Sequence, residues 1–300
     1  MIVVLVRNLT ALFVAAIAAL VLSASPILAA ESCESPPALR FSLVPAGNVE
    51  ERLKAYQPLL KRIELLTGKS VLIVRPQSYA TVSEGLLAGT IDIATIGPAG
   101  YVAVRAADPQ IQPFATIAKR EGIYQVAGPF YHSLLIVRAQ GRFKDIAQLR
   151  GRHLALTDPA STSGSLLPRR QFTPVIGMPL DKYFGRISYS GSHSKSIAAL
   201  AQGEVDAAFV ASTNLEDALH TGKLKASDVR VLWTSAPIAY DPFVHRGQLC
   251  EPLKRRIRAA FLTEAAALQP VLDDLRAVAF VPVGDEHYAE VRAALATAPR

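Results

Sequence analysis

The sequence predicts an α/β protein built as two similar lobes, each a mixed, mainly parallel sheet flanked by helices. Apolar runs of strand length alternate with runs of helical periodicity, a pattern that argues for parallel strands covered by helices. The alternation starts afresh after Arg138. Glu84–Ile96 (EGLLAGTIDIATI) and Ser196–Val210 (SIAALAQGEVDAAFV) also echo one another as helix, Gly cap, acidic residue before Ala, and apolar strand.

In the first unit the pattern reads as a strand over Leu39–Val44, a helix over Val49–Leu66 closed by Gly68, and a strand over Ser70–Val74. A short helix over Thr81–Leu87 and a strand over Ile91–Ile96 follow. The second unit reads as a helix near Ile146–Leu149, a strand over His153–Thr157, a helix from Ser163, a strand over Arg186–Tyr189, a helix over Ser194–Gln202 and a strand over Val205–Val210. Gln112–Val137 and Val231–Val244 are the expected passages between units, and Lys254–Arg300 returns as C-terminal helices on the first. The expected division is therefore 31–134 with 238–300 as one lobe and 135–237 as the other, joined by two crossings that form a hinge able to close.

Residues 1–30 differ from the rest. One cation, Arg7, precedes an apolar run from Leu9 to Leu22, and small residues follow at Ala29 and Ala30, which reads as a secretory signal peptide. The run is shorter than the roughly 20 residues of a membrane span. The mature chain is expected to be soluble, monomeric and outside the cytoplasm. Glu31 and Ser32 before Cys33 argue against lipidation. Cys33 and Cys250 are the only cysteines, an even count that allows one disulfide or two separate thiols.

The formal charge of +7 falls to +6 without Arg7. A basic surface attracts anions of any size, but nucleic acid is not the expected partner. Its densest cations, Lys254, Arg255, Arg256 and Arg258, share an amphipathic helix with Ile257, Phe261 and Leu262 and read as its solvated face, with no interleaved aromatics.

Ligands of open α/β sheets lie beyond the carboxyl ends of the strands, where helix N-termini favour anions. Two loops at such positions are rich in hydroxyls: Asp158-Pro-Ala-Ser-Thr-Ser-Gly164 after the strand ending at Thr157, and Ser190-Gly-Ser-His-Ser194 after Tyr189. Hydroxyls and backbone amides can surround a compact oxyanion with many donors, and small residues permit close approach. His193 adds a donor whose charge responds to pH. Taken alone, Ser161 and Ser192 read equally well as helix caps.

Asp158-Pro-Ala-Ser-Thr-Ser-Gly164, Tyr189-Ser-Gly-Ser-His193, the Gly203-Glu-Val-Asp206 turn, Gly97-Pro98-Ala99 and Tyr240-Asp241-Pro242 together resemble the periplasmic phosphate/phosphite/phosphonate-binding proteins of ABC importers. The resemblance covers nearly the whole mature chain. It implies a type II periplasmic-binding-protein fold with the ligand in a cleft between the lobes, and an ABC permease as partner. It further implies that Ser161, Thr162, Ser163 and His193 hold the anion's oxygens, with Tyr79, Tyr131 and Asp241 completing a clamp. An ionised Asp241 can only accept a hydrogen bond, which favours an oxyanion that still carries a proton over sulfate; an Asp before Pro also simply starts turns. Many relatives place an acid shortly after the strand ending near Val210, where this chain reads Ala211-Ser-Thr-Asn214, which disfavours an aminoalkylphosphonate.

Other functions fit less well. Ser, His and Asp are present without a Gly-x-Ser-x-Gly elbow, so a serine hydrolase is not expected. The six histidines, His132, His153, His193, His220, His245 and His287, are scattered without metal-ligand spacing, and His153 reads as a structural histidine inside a strand. Neither catalysis, a metal nor a cofactor is expected. The serious alternative keeps the ligand but changes the consequence: an oxyanion, arsenic included, presented to a membrane sensor kinase.

Overall fold

The computed structural model describes residues 33–296, so the expected signal segment, 1–30, lies outside the described residues. Strands β1 (Ala38–Leu43), β2 (Ser70–Ile73), β3 (Ile93–Thr95) and β4 (Gln112–Lys119) run in one direction. With the oppositely directed β12 (Phe243–His245) and β13 (Ala277–Val281) they form a six-stranded sheet in the order β13-β4-β12-β3-β1-β2. A five-stranded sheet follows the order β10-β6-β9-β7-β8, from β6 (Ser133–Arg138), β7 (His153–Leu156), β8 (Arg186–Tyr189), β9 (Ala207–Ala211) and β10 (Val229–Thr234). Here β7, β8 and β9 are parallel, and β6 is antiparallel to its neighbours. Between the sheets, β5 (Phe130–Tyr131) pairs with β11 (Ile238–Ala239), so the two passages cross side by side.

Helix α1 (Val49–Thr67) shows why the first sheet is covered as predicted. Asn48 caps it by accepting from the N–H groups of Glu50 and Glu51, and Gly68 ends it at φ 69°, where a side chain would be strained. Its buried Leu53, Tyr56, Leu59, Leu60 and Ile63 recur at intervals of three and four, the stripe a helix lays on a sheet. They join Leu39, Phe41, Phe114, Phe243 and Phe261 in one core. Helices α2 (Tyr79–Leu87) and α3 (Pro98–Ala107) follow β2 and β3. In the second sheet, α4 (His193–Gln202) follows β8 and α5 (Ser212–His220) follows β9.

The internal echo is real at atomic level. Asp92 Oδ2 accepts the N–H of Arg40 on β1 at 2.8 Å, and Asp206 Oδ2 accepts the N–H of His153 on β7 at 3.0 Å. In each pair the acid's own N–H returns to the partner's carbonyl, at 2.9 Å in both cases. One acid per sheet thus locks the entry to one strand onto its neighbour. His153 also has its ring Nε2 beside Ser188 Oγ at 2.8 Å, in keeping with a structural role.

Three elements differ from the expectation. The C-terminal stretch contains not only helices α6 (Glu251–Leu262), α7 (Gln269–Asp274) and α8 (Ala289–Ala296) but also β13, which the apolar run Ala277–Val281 adds to β4. The helix expected near Ile146 is a single 3-10 turn, Ala147–Leu149. The helix expected from Ser163 starts at Thr162 and runs as two wide π turns to Phe172 before tightening at Thr173. On α6 the apolar Leu253, Ile257 and Phe261 are buried and Arg255, Arg256 and Arg258 exposed, as expected of a solvated cationic face. Both cysteines are disulfide-bonded, and Glu34, next to Cys33, is bonded to the backbone of Gln248 and Cys250.

Candidate functional site

The loops that leave β1, β3, β7 and β9 converge, through Ala46, Gly97, Ser161 and Ala211, on one cavity of about 180 Å³. That is less than the roughly 300–1,000 Å³ taken by drug-sized ligands, so it suits a compact one. All seven residues singled out in the sequence, Tyr79, Tyr131, Ser161, Thr162, Ser163, His193 and Asp241, line it. Thr162 and His193 come from loops of the second sheet, Tyr79 from the start of α2, and Tyr131 and Asp241 from the crossing strands and their exit.

The Asp158–Gly164 loop is shaped by its own side chains. Asp158 Oδ1 accepts the N–H of Ala160 at 2.8 Å, and Ser161 Oγ accepts the N–H of Gly164 at 3.1 Å. Ser161 is therefore both a cap and a cavity wall; the two readings are not exclusive. Thr162 and Ser163 open the helical run, where backbone N–H groups lack intrahelical acceptors. Gly164 is dictated by space, since a Cβ there would lie 2.2 Å from Thr157 Oγ1.

His193 is held in one tautomer. Its Nδ1 accepts the N–H of Ala211 at 3.1 Å and lies 2.9 Å from Thr157 Oγ1. A backbone amide only donates, so the ring proton sits on Nε2, which is 3.5 Å from both Ser161 Oγ and Ser163 Oγ. Burial lowers the pKa to about 3. The expectation of a pH-responsive charge is thereby corrected: His193 is a fixed, neutral donor because its surroundings exclude the water that would stabilise an imidazolium.

The tyrosines are donors too. The Tyr79 hydroxyl is buried with no hydrogen-bond partner among the described residues. Burial, and then the nearby Asp241, raise the pKa of both Tyr79 and Tyr131, so both keep their protons. Tyr131 packs edge-on against Tyr240, ring centroids 5.7 Å apart.

Asp241 departs from its expected ionised state. Burial raises its pKa to about 7, against the opposing pull of Arg52. Its backbone is fixed where Thr116 Oγ1 donates to the Asp241 carbonyl at 2.9 Å. A half-buried carboxyl poised near neutrality can both donate and accept a hydrogen bond.

The second hydroxyl-rich loop is narrowed to one cavity residue. The hydroxyls of the Ser190–Ser194 loop serve the fold: Ser190 Oγ bonds Ser196 Oγ at 2.7 Å and Ser192 caps α4 through the N–H of Lys195. Only His193 reaches the cavity from that loop. No acid stands at Ala211–Asn214; Asp217, one turn into α5, and Glu51 on α1 are exposed residues of the cavity lining. Arg52 and Lys119 are cavity cations the sequence reading missed. Arg52 sits among acids in the first turn of α1, and Lys119 ends an apolar strand; a lone cation at a strand's carboxyl end was the available signal.

A family model described as the periplasmic substrate-binding protein of ABC phosphonate transporters matches residues 41–288. The chain belongs to this family. It is 28% identical over 276 residues to the phosphate-import protein PhnD of Mycolicibacterium smegmatis, across 86% of this chain and 84% of that one. To the phosphonates-binding periplasmic protein of Escherichia coli it is 26% identical, across 76% and 67%. Among solved structures, a binding-protein component of an ABC phosphonate transporter from Pseudomonas aeruginosa superposes with TM-score 0.77 at 25% identity, covering 87% of this chain and 86% of that one. PhnD1 of Prochlorococcus marinus, solved in complex with methylphosphonate, shares the fold with TM-score 0.73 at 18% identity, covering 87% and 97%. The architecture is accordingly the two-lobed α/β fold of the type II periplasmic binding proteins, and the family is one of exported transport proteins.

Proposed function

We propose that this binding protein captures one small phosphorus oxyanion, a phosphonate, phosphite or phosphate, and delivers it to the permease of an ABC importer. The observation that carries the reading is the neutral Nε2–H of His193 facing Ser161 and Ser163 in a cavity that also holds the partnerless hydroxyl of Tyr79. Thr162 and Tyr131 add donors, and Asp241 shares the proton that distinguishes a partly protonated oxyanion from sulfate. In this reading 31–134 with 238–300 and 135–237 move as the two jaws about the β5–β11 crossing, and nothing is chemically transformed. Two of the relatives' names, which speak of import and of an ABC phosphonate transporter, support a permease rather than a sensor kinase as partner.

The test is a titration series on mature protein stripped of ligand by unfolding and refolding. The ligands are phosphate, phosphite, methylphosphonate, aminoethylphosphonate, arsenate and sulfate. At least one phosphorus oxyanion is expected to raise the melting temperature, because a ligand that binds only the folded state stabilises it. Tyr79→Phe removes a single donor and is expected to weaken that ligand by about tenfold to a hundredfold, the cost of one lost bond to a charged group. Stabilisation by sulfate alone, or by none of the six, would overturn the assignment.

A further inference from the structure

The Gly97-Pro98-Ala99 motif stands at the cavity without a role in gripping the anion. It opens α3, which belongs to the first sheet, with Pro98 at the first helical position. The N–H of Ala99, one of the amides that a helix start leaves without an internal acceptor, donates instead to Thr162 Oγ1 across the cleft at 2.9 Å, and the bond is buried. Gly97 makes room for it: a Cβ there would lie 3.2 Å from Thr162 Oγ1. On the other side of the cavity the same device recurs, since the N–H of His193 donates to the carbonyl of Ala46, in the loop after β1, at 3.1 Å.

A hydroxyl that accepts one hydrogen bond is oriented by it, and its own O–H becomes a stronger donor through polarisation. The Ala99 amide therefore fills an acceptor position on Thr162 and turns the hydroxyl proton elsewhere. We infer that the Ala99 amide is a positioning group for anion retention: it fixes Thr162 as a donor only when the two sheets have come together, so that ligand grip and closure are one event. The inference rests on the reading of Thr162 as a ligand donor. Its consequence is kinetic. An open protein meets the anion without this bond, so association is indifferent to it, whereas release must break it.

The direct test replaces Ala99 by lactic acid, which exchanges the amide N–H for an ester oxygen and leaves every side chain in place. Release and association rates of methylphosphonate and inorganic phosphate are then measured by stopped flow, beside wild type and Gly97→Ala. The ester is expected to release about threefold to tenfold faster, the worth of one neutral hydrogen bond, with association unchanged. Gly97→Ala should shift the same way by crowding Thr162. An ester variant that releases at the wild-type rate, or that slows association instead, overturns the inference. If wild type itself binds neither anion, the cleft reading has failed and the inference falls with it, an outcome visible in the control alone.

Discussion

Asp92→Ala is expected to lower the free energy of unfolding by about 3–5 kcal/mol, the usual cost of stranding a buried charge. Asp92 has no exposed surface, and it receives Arg40 Nε at 2.8 Å, Arg40 Nη2 at 2.9 Å and Arg246 Nε at 2.6 Å. Arg246 is itself 2% exposed and reaches Glu34 at 2.7 Å on its other side. Without the carboxylate, two guanidinium groups face each other in the first sheet, and the N–H of Arg40 loses its acceptor. Burial alone would raise the pKa of Asp92, but its bonds to Arg40 and Arg246 prevail and hold it below the ordinary carboxylate range. A depressed pKa stabilises above the unfolded-state value near 4 and is lost as pH falls through the folded-state value. Urea unfolding of wild type and Asp92→Asn at pH 7 and pH 3 should therefore show a gap that narrows in acid; an equal gap at both would show that the charge is not what the site requires.

The same acid shows what was legible in the sequence. Helix, glycine, acid and strand recur around Asp92 and Asp206 because in each sheet the acid accepts an amide of a neighbouring strand; the run leading into the acid is local and legible, whereas the amides it caps, of Arg40 and His153, lie 52 and 53 positions away. The Asp158–Gly164 loop was legible for a similar reason, since its hydroxyls and glycine answer constraints within a few residues. His193 was legible as a donor but not as a neutral one, because its tautomer depends on the N–H of Ala211, eighteen positions away at the end of β9. Ser190 misled for the converse reason: its hydroxyl is visible in the loop, whereas its partner, Ser196 Oγ, is chosen by the folded helix; Ser192 proved to be the cap that was one of its two readings. Arg52 and Lys119 were hidden by good local alibis, one in a charged first turn and the other at a strand end, and only the folded chain aims them at the cavity.

Asp241→Asn is expected to make the unliganded protein more stable than wild type at pH 8.5, by on the order of 2–4 kcal/mol, and to leave it unchanged near pH 4. The folded-state pKa of Asp241 lies at about 7 because burial outweighs the attraction of Arg52. Its unfolded value is near 3.9. A raised carboxyl imposes no cost below the unfolded value and an increasing one as pH climbs toward the folded value, at about 1.4 kcal/mol for each pH step of one between the two. Asparagine keeps the shape of the protonated acid and cannot ionise, so the difference between the two unfolding curves isolates this one group from every other that titrates. The ligand gives the cost its meaning. An oxyanion entering beside an ionised Asp241 adds like charge, with Arg52 as the counterweight, so at pH 8 binding should draw in up to one proton, held between Asp241 and the ligand. Calorimetry of methylphosphonate binding in two buffers of different ionisation enthalpy counts that proton directly. Uptake in wild type that disappears in Asp241→Asn places the shared proton on this carboxyl; equal uptake in both would put it on the ligand alone and leave Asp241 with no part in the proposed discrimination against sulfate.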